Sequence, residues 1–408
     1  MSRVRVDFDV VVVGAGAVGA TLAALLSKSS RLAGGRVALI APRWPPPPPS
    51  DWDLRVFALS RASERILAAA GIWPSLSAHR VSSYERMRVW DAAGSAHGSG
   101  SLEFDCAQLG EANLGYIVDG AELQWRCLEA AKSLRVSLID SAVIALDADA
   151  EVAALTLDDG RVLTARLVVG ADGTDSTIRE LAGLGSAGHA YHQEALVAHI
   201  HTVKSHQRTA WQRFLPSGPL AFLPLSDGRS SLVWSTSCAE AKRLQALPAA
   251  EFSVELTRAS DAVLGDCSLG SERACFPLKL KYAERYIAVR LALVGDAAHV
   301  VHPLAGQGLN LGLLDVASLI EVLETKGPDA LGDAAALRRY ERWRRSENLL
   351  TAAGLDGLER LFSSTSAVTG MMRKRGLSLI ERLPPLKRRL ARQALGLAGD
   401  IPALARRA

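Results

Sequence analysis

Four consecutive valines, Val10 to Val13, run into Gly14-Ala15-Gly16-Ala17-Val18-Gly19, and an alanine- and leucine-rich segment follows to Ser27. An apolar strand, a glycine turn and a helix in that order constrain the fold more than any other feature of the chain. The glycines permit a tight turn, close approach of backbone to a pyrophosphate, and close packing of helix on strand. The helix start then offers unpaired N–H groups and a positive dipole end to phosphate. An ordinary glycine turn is the competing reading, but the strand and helix on either side favour a dinucleotide site. In such a site the second strand, here Arg36 to Ile40, ends on an acid that accepts from the adenosine ribose. Ala41 stands in that place, followed by Pro42-Arg43.

Two further glycine turns repeat the pattern. The strand Arg166 to Val169 leads into Gly170-Ala171-Asp172-Gly173, with Ser176 and Arg179 three apart on one side of the helix that follows. Alone, this stretch reads equally as a glycine turn with a capping Asp. The strand Leu291 to Val294 leads into Gly295-Asp296-Ala297-Ala298-His299, then His302-Pro303-Leu304-Ala305-Gly306-Gln307-Gly308-Leu309-Asn310 and an apolar helix to Leu323. A helix start aimed at the pyrimidine edge of a flavin stabilises the negative charge of its reduced form. Together the three stretches point to FAD. His299 and His302 are candidate bases by proximity alone. No further acid or cysteine joins them and Asp296, so no metal is expected.

These motifs resemble the FAD-dependent aromatic hydroxylases of the para-hydroxybenzoate hydroxylase class, and within it the ubiquinone-biosynthesis hydroxylases. The likeness extends to Asp53-Leu-Arg55-Val-Phe-Ala-Leu-Ser60-Arg-Ala-Ser63, to Leu67 and Gly71-Ile-Trp73, and to Gly218-Pro-Leu-Ala-Phe-Leu-Pro224-Leu225. It also covers Phe276-Pro277-Leu278 and Ala394-Leu-Gly396-Leu-Ala-Gly399-Asp-Ile-Pro402, and so nearly the whole chain.

The resemblance implies that Gly14, Gly16 and Gly19 hold the pyrophosphate and that Arg55 reaches the cofactor from its loop. It implies a cofactor contact for Gln124, and phosphate and ribityl contacts for Asp172 and Asp296. Pro303, Gly306, Gly308, Leu309 and Asn310 are expected to border the isoalloxazine ring. Two departures stand out: Ala41, and the proline run Pro45 to Pro49, read as a stiff loop ahead of Arg55.

The expected fold class is α/β. A Rossmann-like FAD-binding domain of the glutathione reductase and para-hydroxybenzoate hydroxylase type carries an inserted, mostly antiparallel β-sheet substrate domain and a helical C-terminus. The cofactor domain is expected from residues 1–77, 115–185 and 290–326, the substrate domain from 78–114 and 186–289, and the helical region from 327–408. Glu194 to Thr202, Leu220 to Leu225 and Ser230 to Ser237 read as strands with a turn at Ser226-Asp227-Gly228, and Ser82 to Cys106 as a hairpin turning at Ala93-Gly94. The substrate is expected between this sheet and the flavin. Past Asp333 the pattern is helical, with Tyr340 and Trp343 spaced for packing.

Composition narrows the class. The chain has 408 residues, 49% hydrophobic and 22% charged, ordinary for a soluble globular protein. No apolar stretch reaches the about 18–20 residues that span a bilayer, and Asp7 and Asp9 interrupt the N-terminal run where a signal peptide would be apolar. Five scattered cysteines, Cys106, Cys127, Cys238, Cys267 and Cys275, read as reduced thiols of a cytoplasmic protein. A net charge of +4 gives no argument for nucleic acid. The positive charge does concentrate late: Arg373 to Arg375, Lys387 to Arg389, Arg392 and Arg406-Arg407 lie among Leu377, Leu379, Ile380, Leu383, Leu386 and Leu390. Such a basic amphipathic segment fits an anionic membrane surface or a biosynthetic complex, or equally a helix packed on its own domain.

Hydroxylating a ring with dioxygen needs an electron store that no side chain supplies. The resemblance implies FAD, reduced by NAD(P)H or another donor, with dioxygen as co-substrate and a flavin hydroperoxide as the hydroxylating species. The implied substrate is a prenylated phenol of ubiquinone biosynthesis. A small soluble phenol, and a non-catalytic FAD-holding role in a quinone-biosynthesis complex, stay open as alternatives. The expected location is cytoplasmic, with the basic tail on the inner membrane face.

Overall fold

The computed structural model describes residues 6–32, 36–98, 100–301, 306–363, 381 and 383–406. Its first layer is a sheet in the order Ile287–Ala288, Leu291–Leu293, Val162–Gly170, Phe8–Val13, Val37–Ala41 and Ser137–Asp140. From Leu291–Leu293 onward these neighbours run parallel. Continuous Val, Leu and Ile runs suit strands buried on both faces, and Val11, Val12, Leu39, Val168 and Val169 are fully buried.

Helix α1 (Ala17–Lys28) packs on this sheet along a face of Ala and Leu. Helix α2 (Arg61–Ala70) starts at Ser60, whose side chain accepts from Ser63 N, and stops at a left-handed Gly71. Asp119 caps α3 (Gly120–Ser133) in the same way, and Ser176 caps the short α4 (Thr177–Leu181).

The second layer is mostly antiparallel, in the order His299–Val300, Ala274–Ala283, Ser186–Thr202, Ser230–Ser237, Gly218–Pro224, Thr209–Leu215, Arg86–Asp91 and Ser101–Asp105. Its one parallel pair on this path joins Thr209–Leu215 to Arg86–Asp91. Alternation sorts its side chains. Leu196, Ala198, Ile200, Leu220, Phe222, Leu232 and Trp234 pack under α5 (Cys238–Ala246) and α6 (Ala249–Ala259), whose Leu244, Phe252 and Leu256 complete that core. The opposite face, bearing Ala221, Leu223, Val233 and Ser235, turns to a cavity.

The strand Ser186–Thr202 begins eight residues before the expected Glu194, because it pairs with Ala274–Ala283 on both sides of a register shift at Ala190/Glu194. The arms of the expected hairpin are Arg86–Asp91 and Ser101–Asp105, whereas Val81–Tyr84 pairs instead with Gly115–Asp119 in a small separate sheet.

The third element group is helical: α7 (Gln307–Lys326), α8 (Ala334–Ser363) and α9 (Pro384–Ala394). Tyr340 is fully buried and donates its hydroxyl to Leu293 O at 2.7 Å, tying α8 to the first sheet. Among the described residues no helix is long and apolar enough to cross a membrane.

Candidate functional site

Because Leu291–Leu293, Val162–Gly170 and Phe8–Val13 are parallel neighbours, the three glycine turns that follow them meet at one edge of the sheet. This is the edge where α/β sheets bind nucleotides. Two of the first three glycines answer to the protein's own packing. Gly14 has φ +113°, and a Cβ there would lie 2.2 Å from Ala171 O; a Cβ at Gly19 would lie 2.0 Å from Gly14 O. Gly16 is different, since a Cβ there would meet nothing within 4 Å. It is the N-cap of α1, with no side-chain cap and no acid in the first turn. The helix start therefore faces an open cradle with donors to spare, the geometry that takes a phosphate.

The third turn brings Asp296 to the same cleft. A Cβ on Gly308 at the start of α7 would sit 4.0 Å from its Oδ1. The carboxylate is accessible, and among the described residues it accepts no hydrogen bond. Yet protein surrounds the cleft closely enough that loss of solvent pushes its pKa up, against the opposing pull of the His299 and Arg55 charges. An exposed acceptor with no protein partner among the described residues fits the hydroxyls of a ligand. The exposed Arg55 stands beside it, its guanidinium 5.9 Å from the Phe57 ring centroid and 5.8 Å from that of Phe276.

A buried clamp holds the Arg55 loop. Arg80 donates to the carbonyls of Pro49 (2.5 Å), Ser50 (2.8 Å) and Asp51 (2.5 Å) and to Asp119 Oδ2 (2.7 Å). Asp119 also accepts from Asp53 N at 2.8 Å, and Gly120 N donates to Arg55 O at 2.8 Å. The end of the proline run is thus anchored from within.

Other expected contacts spend their polar groups inside the protein. Asp172 accepts from Ser176 Oγ at 2.6 Å and Ile178 N at 3.0 Å, so its carboxylate caps α4. Gln124 Nε2 donates to Gly120 O at 3.2 Å. The Asn310 amide accepts from Ser60 N (2.9 Å) and Ser63 Oγ (2.7 Å) and donates to Ala58 O (2.9 Å) and Gly306 O (3.1 Å). That leaves Asn310 to fix the start of α7, with Leu309 half-buried on the first core beside it. Gly306 caps α7 in the left-handed conformation without a side-chain cap. His302 and Pro303 lie outside the described residues.

His299 is 2% exposed and points inward. Its Nε2 bonds Asp315 Oδ2 at 2.5 Å, its ring stacks on Tyr286, and its Nδ1 has no hydrogen-bond partner among the described residues. An imidazole bound this way orients a turn; reaching a substrate from this position would take the other nitrogen.

Asp315 gave no warning in the motifs, yet it is the hub. Fully buried, it also accepts from Gly295 N (3.1 Å), Arg344 Nε (2.8 Å) and Asn348 Nδ2 (3.1 Å). Burial alone would raise its pKa; the His299 and Arg344 charges and hydrogen bonds prevail and bring it down to about 2. Arg179 makes a second link, donating to Ala297 O and Thr174 O at 2.9 Å each, and so joins the second turn to the third.

Next to this cleft lies a cavity of about 190 Å³, lined mainly by apolar side chains that include Val56, Met87, Phe104, Ile117, Leu223 and Val233. Gly306 and Gln307 border it, and so do Ala391 and Leu395 of the C-terminal segment. Helix α9 therefore closes the cavity with one face. Its other face exposes Leu386 and Leu390, each 41%, next to Leu383, among the exposed Arg388, Arg389 and Arg392. Arg373 to Arg375, Leu377, Leu379 and Ile380 lie outside the described residues.

Comparison with known proteins adds an independent line. A family described as an FAD binding domain matches residues 7–348. The 3-demethoxyubiquinol 3-hydroxylase of Escherichia coli K12 is 36% identical over 396 residues, spanning 95% of this chain and 98% of that protein. The ubiquinone hydroxylase UbiL of Rhodospirillum rubrum is 39% identical, spanning 95% of this chain and 89% of its own. Among solved structures, PqsL of Pseudomonas aeruginosa in complex with 2-aminobenzoylacetate superposes with a TM-score of 0.71 at 25% identity, over 91% of this chain and 99% of that one.

Proposed function

We propose, on the premise that this chain belongs to the FAD binding domain family of flavoprotein monooxygenases, that it hydroxylates the ring of a prenylated phenol in ubiquinone biosynthesis. The observation that carries this reading is the junction of two spaces. The phosphate-ready cradle at Gly16 and the unpaired Asp296 open beside an apolar cavity that ends on Gly306 and Gln307. When bound, FAD supplies the electron store for dioxygen chemistry, with NAD(P)H as its reductant.

The chain's own residues do the rest. Gly14, Gly16 and Gly19 shape the pyrophosphate cradle, Asp296 accepts from hydroxyls of the cofactor, and Arg55 brings a positive charge to the cleft. Gly306, Gly308, Leu309 and Asn310 set the uncapped start of α7, whose positive end favours negative charge on a neighbouring ring. The apolar walls exclude water from the reacting centre.

Cavity size supports a tailed substrate. About 190 Å³ is below the ~300–1,000 Å³ of pockets that enclose drug-sized ligands. It suits a substituted ring and the first part of a chain, so the remainder of a longer tail would extend beyond the cavity. The exposed Leu and Arg side chains of α9 then suit an anionic membrane surface where such a tail resides. A strain lacking the gene tests the reading through its extracted lipids. Accumulation of a prenylated phenol short of one hydroxyl supports it, and an unchanged quinone profile contradicts it.

A further inference from the structure

The acid missing at the end of the second strand leaves the adenosine ribose of a bound dinucleotide without its usual acceptor. The neighbouring strand provides one. Val37–Ala41 and Ser137–Asp140 run parallel, and the register places Asp140 directly beside Ala41. Adjacent strands lie about 4.8 Å apart, and residues in register on parallel strands project from the same face of the sheet. The Asp140 carboxylate thus occupies the same edge and the same face as the absent acid, displaced by one strand.

Its setting leaves it available. Asp140 is exposed, and among the described residues no hydrogen bond or ion pair engages its side chain. The backbone around it is fixed: Ser141 N donates to Ala41 O at 3.3 Å, and the next residue, Ala142 N, donates to Asp158 Oδ1 at 3.1 Å. Ala41 itself is 3% exposed and packed in the first core, so it offers the ribose no polar group.

We propose that Asp140 is the ribose-binding residue of this chain, accepting hydrogen bonds from the adenosine hydroxyls of FAD in place of the acid absent at Ala41. The inference rests on the assignment of FAD to the cleft. The competing anchor is Arg43, also exposed at the end of the second strand.

The test is a titration of the full-length, flavin-stripped protein with FAD and with FMN, which lacks the adenosine, followed by flavin fluorescence. Hydrogen bonds to a charged acceptor correspond to about ten- to hundredfold in affinity. Asp140→Ala should weaken FAD by about tenfold or more and leave FMN unchanged. Asp140→Glu, which keeps a carboxylate at this exposed position, should retain most of the FAD affinity that Asp140→Ala loses, a rescue that a general structural defect would not give. An unchanged FAD affinity in Asp140→Ala, an equal loss for both flavins, or a loss that follows Arg43→Ala instead would overturn the proposal. If the unmodified protein bound neither flavin, the FAD assignment itself would fail, a result separate from any of these.

Discussion

The glycine turn separates residues needed by the fold from residues needed by the ligand, and substitution should expose the difference. At Gly14, a Cβ would stand 2.2 Å from Ala171 O, 2.5 Å from Ala171 C and 2.7 Å from Asp172 N, all backbone, at φ +113°. Adopting a left-handed conformation alone costs an L-residue about 1–2 kcal/mol, and overpacking adds about 1–3 kcal/mol. Gly14→Ala should therefore destabilise the flavin-free protein by about 2–5 kcal/mol. Gly16 has φ −67° and open space where its Cβ would be. Ala is a poorer N-cap than Gly, so Gly16→Ala should cost the fold at most about 1 kcal/mol. Its methyl group would nevertheless stand where a pyrophosphate must approach the backbone. Thermal melts of the flavin-free proteins and FAD titrations give the two quantities separately. Gly16→Ala should melt close to the unmodified protein and bind FAD at least tenfold more weakly, on the order of 1.4 kcal/mol. A Gly16→Ala protein with unaltered FAD affinity, or one as unstable as Gly14→Ala, would refute the assignment of that space to phosphate.

Other consequences follow from the buried network and from α9. Asp315→Ala strips His299 and Arg344 of their shared partner, and should cost about 3–5 kcal/mol in chemical denaturation as a broken buried pair; a loss under 1 kcal/mol would deny it the role of hub. The lowered pKa of Asp315, about 2 against 3.8, means its stabilisation is complete above the unfolded-state value and disappears as pH falls through the folded one. That is about 2 kcal/mol lost between roughly pH 4 and 2, and acid unfolding of Asp315→Asn should lack this component. Asp296 is shifted the other way, so its carboxylate burdens the empty protein as pH rises past the ordinary carboxylate value. Asp296→Asn should then raise the melting temperature of the flavin-free protein at neutral pH while weakening FAD, and a fall in both would contradict this. Leu386→Glu with Leu390→Glu should reduce co-sedimentation with vesicles containing anionic lipid and leave FAD affinity intact; equal loss of both would make α9 purely structural.

The parts of this molecule legible in its sequence are those governed by local rules. A strand running into a glycine turn recurs three times, and in the first the backbone itself excludes a Cβ at Gly14 and Gly19, so the strands, the turns and their order could be read from local pattern. What escaped was set by distant partners. Asp315 lies in the apolar stretch Leu311 to Ile320 as its one acid, a hint of a buried pair; only the fold brings Gly295, His299, Arg344 and Asn348 to it. Arg80 carries no sequence signature, because three of its partners are backbone carbonyls. His299 is a candidate base only through its proximity to the flavin motif in sequence, and Asp315 turns it inward. Strand registers were equally hidden. Pairing on both sides of a shift lengthens Ser186–Thr202, Val81–Tyr84 joins another sheet, and Asp140 comes beside Ala41 across almost a hundred residues of chain.

The most direct measurement is the fate of dioxygen. Purified protein loaded with FAD, supplied with NAD(P)H, isotope-labelled dioxygen and a short-chain prenylated phenol, would be followed by mass spectrometry of the extracted product. The account predicts a product with one labelled oxygen atom on the ring, formed in step with NAD(P)H consumption. Oxidation of NAD(P)H that leaves the phenol unchanged across a series of tail lengths, or a product carrying unlabelled oxygen from water, would contradict it.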